Sequence, residues 1–285
     1  MIKLHENYIR NSDINIFGNW VNSTLEVNSE PFRHVLIHDF LTEQSFTEIE
    51  KAFPSEPEGF YIYENPIEVK YAFDNFSQMK EPIQNLFSAL SHPKILDYFS
   101  NLFQIQNLQY DPCLHGAGLH MHPKYGRLNI HLDYEKHPLL KDKQRKLNII
   151  FYINKDWKKS WNGATELWSK DMKECLFKSY PEGNKALVFE TNEISWHGLP
   201  EIIDCPEGTY RKSIAYYYLT PLENSSSCDK VGSNSEGYRT KATFVKRPQD
   251  PIDERMEKLY SIRPHRRITK EDMIEIYPEW NKELR

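Results

Sequence analysis

Apolar residues recur along this chain at two different periods, and the change falls near residue 108. In residues 42–53, Phe46, Ile49 and Phe53 are spaced for one helical face before Pro54 stops the run. Ile83, Leu86, Phe87 and Leu90 share a second such face. A third helix, opened by Ser91 and Pro93, carries Ile95, Phe99, Leu102 and Phe103. Apart from a short strand over 32–40, residues 32–105 therefore read as helical support.

From residue 106 onward the runs shorten and become β-rich, at 128–134, 147–154, 165–168, 185–190 and 212–220. Turn signals at Pro181 to Asn184 and at Cys205 to Gly208 separate them. Several short strands with no long helices between them predict an antiparallel sandwich or jelly roll, so the fold class is mainly β with flanking α. The expected organisation is one catalytic domain over 1–220, its β core spanning 106–220, followed by an extension over 221–285. In that extension the polar stretch 224–237 reads as a loop, 241–246 as a strand, and 253–260 and 270–277 as helices.

Composition narrows the function classes. The chain has 285 residues, 39% of them apolar and 13% aromatic, and a formal net charge of −5. That rules out wholesale disorder, and the mild acidity makes nucleic acid an unexpected partner. The one local basic cluster, Arg263 to Arg267, reads as a solvated or helix-capping feature, and no secretory start or run of about 18 apolar residues is present, so no membrane association and a cytoplasmic location are expected. The four cysteines, Cys113, Cys175, Cys205 and Cys228, are far apart and read as reduced thiols rather than as a zinc or redox motif.

The chemistry concentrates at His131 and Asp133. Two residues apart in a strand, they project from one face about 6–7 Å apart, a spacing suited to two ligands of one metal. A facial triad needs a third ligand from a distant strand, and His197, following the apolar run 185–190, is the candidate. Arg211 and Ser213 share one face of a later strand. A guanidinium aimed into a barrel interior needs a carboxylate, and no acid in that strand supplies one, so a ligand carboxylate is expected to meet it. His120 and His122 form another same-face pair, with no carboxylate at matching spacing, and are read as lining a substrate mouth or as structural. His115 and His137 read as surface or loop residues.

The ordered set His131-x-Asp133, His197 and Arg211-x-Ser213, with the run 147–157, resembles the iron(II)/2-oxoglutarate-dependent oxygenases, on the prolyl-hydroxylase-like branch. The resemblance covers about residues 32–220. The segment around His197 is similar to that family's distal-histidine motif, and 162–168 to its Gly-Gly strand opening, with Asn162 standing for the first glycine. Asn tolerates positive φ better than other non-Gly residues, which keeps the turn feasible. The resemblance implies a double-stranded β-helix. It also implies Fe(II) on His131, Asp133 and His197, and 2-oxoglutarate held through its distal carboxylate by Arg211 and Ser213, with Tyr152 and Asn148 as further cofactor contacts. O2 would be the co-substrate and ascorbate a candidate reductant. The implied reaction hydroxylates an unactivated C–H and releases succinate and CO2. A protein or peptide side chain such as prolyl is the favoured target, with a sugar or small metabolite behind it. Retention of Asp133 speaks against the halogenating relatives, which carry a small residue there. Two other classes compete: a non-catalytic jelly-roll binding module, and a zinc hydrolase using the same two His and one Asp.

Overall fold

A computed structural model describes residues 4–223 and 238–279. The polar run expected to be a loop, 224–237, and Cys228 within it lie outside the described residues. Six helices and thirteen strands are described. The helices are α1 (Glu6–Arg10), α2 (Glu43–Ala52), α3 (Glu81–Leu90), α4 (Pro93–Phe103), α5 (Glu254–Ile262) and α6 (Lys270–Ile276). Thr42 caps α2 by accepting the Ser45 N–H. The cap of α4 is His92, whose Nδ1 accepts from Lys94 N–H, and not Ser91. The Ser91 hydroxyl is instead buried against the Tyr216 hydroxyl at 2.6 Å.

Two sheets build the β core. One runs β1 (His34–Ile37), β10 (Ala186–Glu190), β7 (Lys143–Tyr152), β12 (Arg211–Pro221), β5 (Gly118–His122), with β4 (Gln109–Tyr110) continuing the edge of β12. The other runs β6 (Arg127–Leu132), β11 (His197–Leu199), β8 (Thr165–Trp168), β9 (Cys175–Ser179). Every pairing is antiparallel, and β3 (Glu68–Phe73) bridges β5 and β6, so the two sheets close into a nearly complete barrel. This is a jelly roll with flanking helices.

Alternation along the strands sorts the two faces. Leu147, Ile149 and Phe151 of β7, with Ile214, Tyr216 and Tyr218 of β12, meet Ile83, Leu86, Phe87, Phe99 and Phe103 in the main core. Each of these large side chains is essentially sealed from water, and such burial contributes about 1.5–3 kcal/mol per residue. The intervening residues Asn148, Ile150, Arg211, Ser213, Ala215 and Tyr217 line the barrel interior.

The expectation of helical support throughout 32–105 fails at a hairpin of β2 (Tyr61–Asn65) and β3. Its turn is held by Asn65, whose Oδ1 accepts the N–H groups of Ile67 and Glu68, each at 3.1 Å. Tyr61, Tyr63, Val69, Tyr71 and Phe73 carry a period-2 pattern that marks the hairpin, and Asn65 with Pro66 marks its turn. The expected strand over 241–246 is reduced to β13 (Thr243–Phe244), which pairs with β6. Through Phe244, Leu259, Tyr260 and Met273, the extension buries a small apolar cluster around Ile67 at the hairpin turn.

The reading of His137 as a surface or loop residue is also corrected. It is fully buried, its Nδ1 accepts from Leu139 and Leu140 N–H, and its Nε2 therefore donates to Asp111 Oδ2 at 3.2 Å. Asp111 also accepts from Cys113 and His115 N–H. Burial pushes the Asp111 carboxyl up, but His137 and these donors outweigh it and hold its pKa below the ordinary value. Asp111→Ala should orphan three buried donors and cost about 3–5 kcal/mol, read as a lower urea midpoint. Since the folded pKa is depressed, the stabilisation is complete above the unfolded value of about 4 and is lost as pH falls through the folded value.

Candidate active site

His131 is the next-to-last residue of β6, Asp133 lies just past that strand's end, and His197 opens β11; the two histidines are cross-strand partners. Their three ligand atoms lie within 4.8 Å of one another, with His131 Nε2 3.8 Å and His197 Nε2 3.7 Å from the Asp133 carboxylate oxygens. Among the described residues this is the only such group of three. Each imidazole turns Nδ1 to a backbone carbonyl, His131 to Asn129 at 2.9 Å and His197 to Ser195 at 2.8 Å. That fixes the tautomer and leaves both Nε2 lone pairs facing the carboxylate, the arrangement that metal-ligating histidines adopt. Burial lowers the His131 pKa to about 3 and lowers that of His197, so both rings are neutral at physiological pH. Asp133 is opposed by its burial, yet the charges that face it in acid, His197 once protonated and Arg145, hold its pKa below the ordinary value. Two neutral imidazoles and one carboxylate fit a divalent transition metal with open positions.

The triad opens into a cavity of about 380 Å³ that also contains Arg211, Ser213, Asn148, His120 and His122. Arg211 is 1% exposed. Its Nε donates to Gly163 O at 2.7 Å, Nη2 to Thr165 Oγ1 and Nη1 to Ser213 Oγ, and no acid among the described residues pairs with it. Asn162 takes φ 60° and Gly163 φ 77°, so the expected Gly-Gly-like turn forms and presents that carbonyl. Tyr152 lies beside Arg211, its ring centroid 5.3 Å from the guanidinium carbon, but its hydroxyl donates to Thr165 Oγ1. Asn148 donates to Asp133 Oδ2 at 3.3 Å, so the structure places it on the metal-facing carboxylate. His120 and His122 pair in register with Ser213 and Arg211 and line the same cavity as the triad. His122 is buried, and neither of its ring nitrogens has a side-chain hydrogen-bond partner among the described residues.

Several residues at this site escaped the sequence reading. Arg145 is sandwiched between the Tyr134 and Tyr217 rings at 3.7 and 3.4 Å, donates to His115 O, and reaches Asp133 Oδ1 at 3.7 Å. Arg239, from the extension, bonds the backbone carbonyls of Asp133 and Asn192 and ties the segments leading from one ligand and toward another. Phe244 stacks on His131 at 4.8 Å. Arg145→Ala should free the Asp133 carboxylate to rotate and weaken metal affinity roughly 10- to 100-fold, measured by competition with a chromophoric chelator.

Residues 117–219 match the family model described as the 2OG-Fe(II) oxygenase superfamily. The chain carries a 2OG-Fe(II) oxygenase domain. The triad and Arg211 fall within the matched residues, while the cavity is also lined from β2, β3 and the extension. The chain is 23% identical over 202 residues to prolyl 3-hydroxylase OGFOD1 of Mus musculus, an alignment covering 69% of this chain. It spans only 34% of that relative's length. Among solved structures it is similar to a Pseudomonas putida prolyl-4-hydroxylase, with TM-score 0.48 and 14% identity over 66% of this chain and 93% of that one. It is also similar to a Trichoplax adhaerens prolyl hydroxylase solved with a hypoxia inducible factor peptide fragment, with TM-score 0.46 and 17% identity over 75% and 90%.

Proposed function

We propose that this oxygenase domain is a working Fe(II)- and 2-oxoglutarate-dependent hydroxylase, acting on a protein or peptide side chain, with prolyl the favoured target. The observation that carries this reading is the pairing of a buried His-Asp-His cluster with a buried guanidinium that has no acid of its own among the described residues, both facing one cavity. His131, Asp133 and His197 would hold the iron. Arg211 and Ser213 would take the distal carboxylate of 2-oxoglutarate, with the Tyr152 ring against the guanidinium. When bound, the iron and 2-oxoglutarate supply O2 activation, with decarboxylation to succinate and CO2 coupled to hydroxylation of a C–H.

The chain's own residues do the rest. Arg145 and Asn148 fix the Asp133 carboxylate between them, and the Nδ1 bonds hold both rings in place. Ile150, Leu199 and Ala215 line the cavity with apolar surface that limits water at the site. A zinc hydrolase would use the same ligands but leaves the guanidinium without a purpose. The similarity to a protein described as a prolyl 3-hydroxylase supports the prolyl target. Anaerobic addition of Fe(II) and 2-oxoglutarate is expected to give the weak visible band of a chelated 2-oxo acid, and admission of O2 to give succinate. Folded, iron-loaded protein showing neither would remove the proposal.

A further inference from the structure

Strand β2 pairs with β3 and with no other strand among the described residues, so its second edge is open. Open edges in native proteins are ordinarily blunted by charge, proline or a bulge. This one carries Tyr61 and Ile62, 61% and 66% exposed, with Glu64 as its one charge. A second cavity, of about 450 Å³, runs along all of β2 and is also lined by Arg267 to Lys270 and by Met273. It shares Tyr61, Tyr63, Glu68, Arg263 and Arg267 with the cavity of the His-Asp-His cluster, so the groove and the cluster are continuous.

Charge says what the groove would accept. Lys70 and Arg263 both lean on one buried acid, Glu68, at 3.0 and 3.5 Å, leaving one positive charge unmatched. Arg267 stands 5.4 Å over the Tyr63 ring and, like Lys241 and Lys270, has no ion pair among the described residues. The other acids on these walls, outside the cluster itself, are Glu64 and Asp74. The groove is thus net positive on a chain whose net charge is −5. An isolated surface charge would carry little weight. Several cations lining one groove beside an open strand edge set a preference for the opposite sign.

We infer that the primary substrate is an extended, acidic polypeptide segment that adds to the open edge of β2 and leads its modified residue past Arg263 to the His-Asp-His cluster. This rests on the oxygenase reading for the chemistry at the end of the groove, but not for the binding itself. Main-chain hydrogen bonds to β2 would supply affinity, and Arg267, Lys241 and Lys270 would select carboxylates at alternate positions of the added strand.

The test is fluorescence anisotropy on the full chain, under nitrogen, with and without Fe(II) and 2-oxoglutarate. The probe is a labelled peptide of alternating glutamate and valine around one central proline. It should bind at least about tenfold tighter than its lysine counterpart, and tightness should fall with added salt. Arg267→Glu combined with Lys241→Glu should reverse the preference while the protein still melts cooperatively. A probe N-methylated at alternate residues should lose binding in one of its two phases, since only one set of amides faces β2. Equal binding of the acidic and basic probes, or indifference of both N-methylated phases, overturns the inference. A stable dimer of the chain that is lost on Ile62→Lys assigns the edge to a second copy and overturns it as well. Absence of the 2-oxo-acid band in the same sample would strike the oxygenase reading alone, because peptide binding is read without turnover.

Discussion

Asp133→Ala is expected to abolish iron retention, with affinity falling by more than about 100-fold, since even residues that merely orient a ligand cost 10- to 100-fold. The reason is in the charge balance of the site. His131 and His197 enter as neutral rings, so Asp133 is the one anion among the three ligands. Its removal does more than vacate a position. Arg145 is buried at 4% exposure between two tyrosine rings, and Asp133 is the acid it reaches. Without that acid the guanidinium keeps only the more distant charge of Asp111, and breaking a buried pair in this way costs up to about 3–5 kcal/mol. His131→Ala should also lose the metal, but it leaves the Asp133 and Arg145 charges paired. Metal content after gel filtration and the urea midpoint of the metal-free protein, measured on both variants, separate the two effects. Both should be low in metal, and Asp133→Ala alone should show the large drop in midpoint. If Asp133→Ala retained one iron per chain, the assignment of the ligands would be wrong.

How much of this was legible in the sequence varies with how local the cause is. The strands bearing His131 and Arg211 follow simple alternation, so which residues face inward could be read directly. The helices over 43–52, 81–90 and 93–103 carry sharp apolar faces and were equally readable. Arg145 was not, because strict alternation from Leu147 puts it on the helix-facing side of β7. A register shift opposite Tyr218 and Leu219 skips Lys146 and turns Arg145 toward Asp133. No residue pattern within β7 announces that bulge. The contributions of Arg239 and Phe244 were hidden for a different reason. They come from the extension, far along the chain from the cluster, and only the β13–β6 pairing brings Phe244 to His131. The hairpin of β2 and β3 was readable from its alternation, but it sits among helices, where the surrounding period prevailed over a short local one.

Arg211→Ala is expected to raise the 2-oxoglutarate concentration needed for half-maximal succinate formation by roughly 100-fold or more, while leaving iron binding near its original strength. Losing one member of a buried, hydrogen-bonded charge pair costs about 2–5 kcal/mol, which sets that scale. The protein itself does not need this cation. In the absence of an anion, Arg211 satisfies Nε on Gly163 O and spreads its remaining donors over two hydroxyls, none of which balances a charge. Burial accordingly pulls its pKa down from the ordinary value. A residue kept for stability should behave in the opposite way, since removing an unneeded interior charge is neutral or stabilising. The melting temperature of metal-free Arg211→Ala should therefore hold or rise even as the cofactor requirement worsens. Arg211→Lys supplies the control. A lysine keeps the charge but loses the planar fork that can meet both oxygens of a carboxylate while still bonding Gly163 O, so its requirement should fall between the two. A half-maximal concentration unchanged in Arg211→Ala would mean that the guanidinium meets no cofactor carboxylate, and the cavity would then need a different ligand.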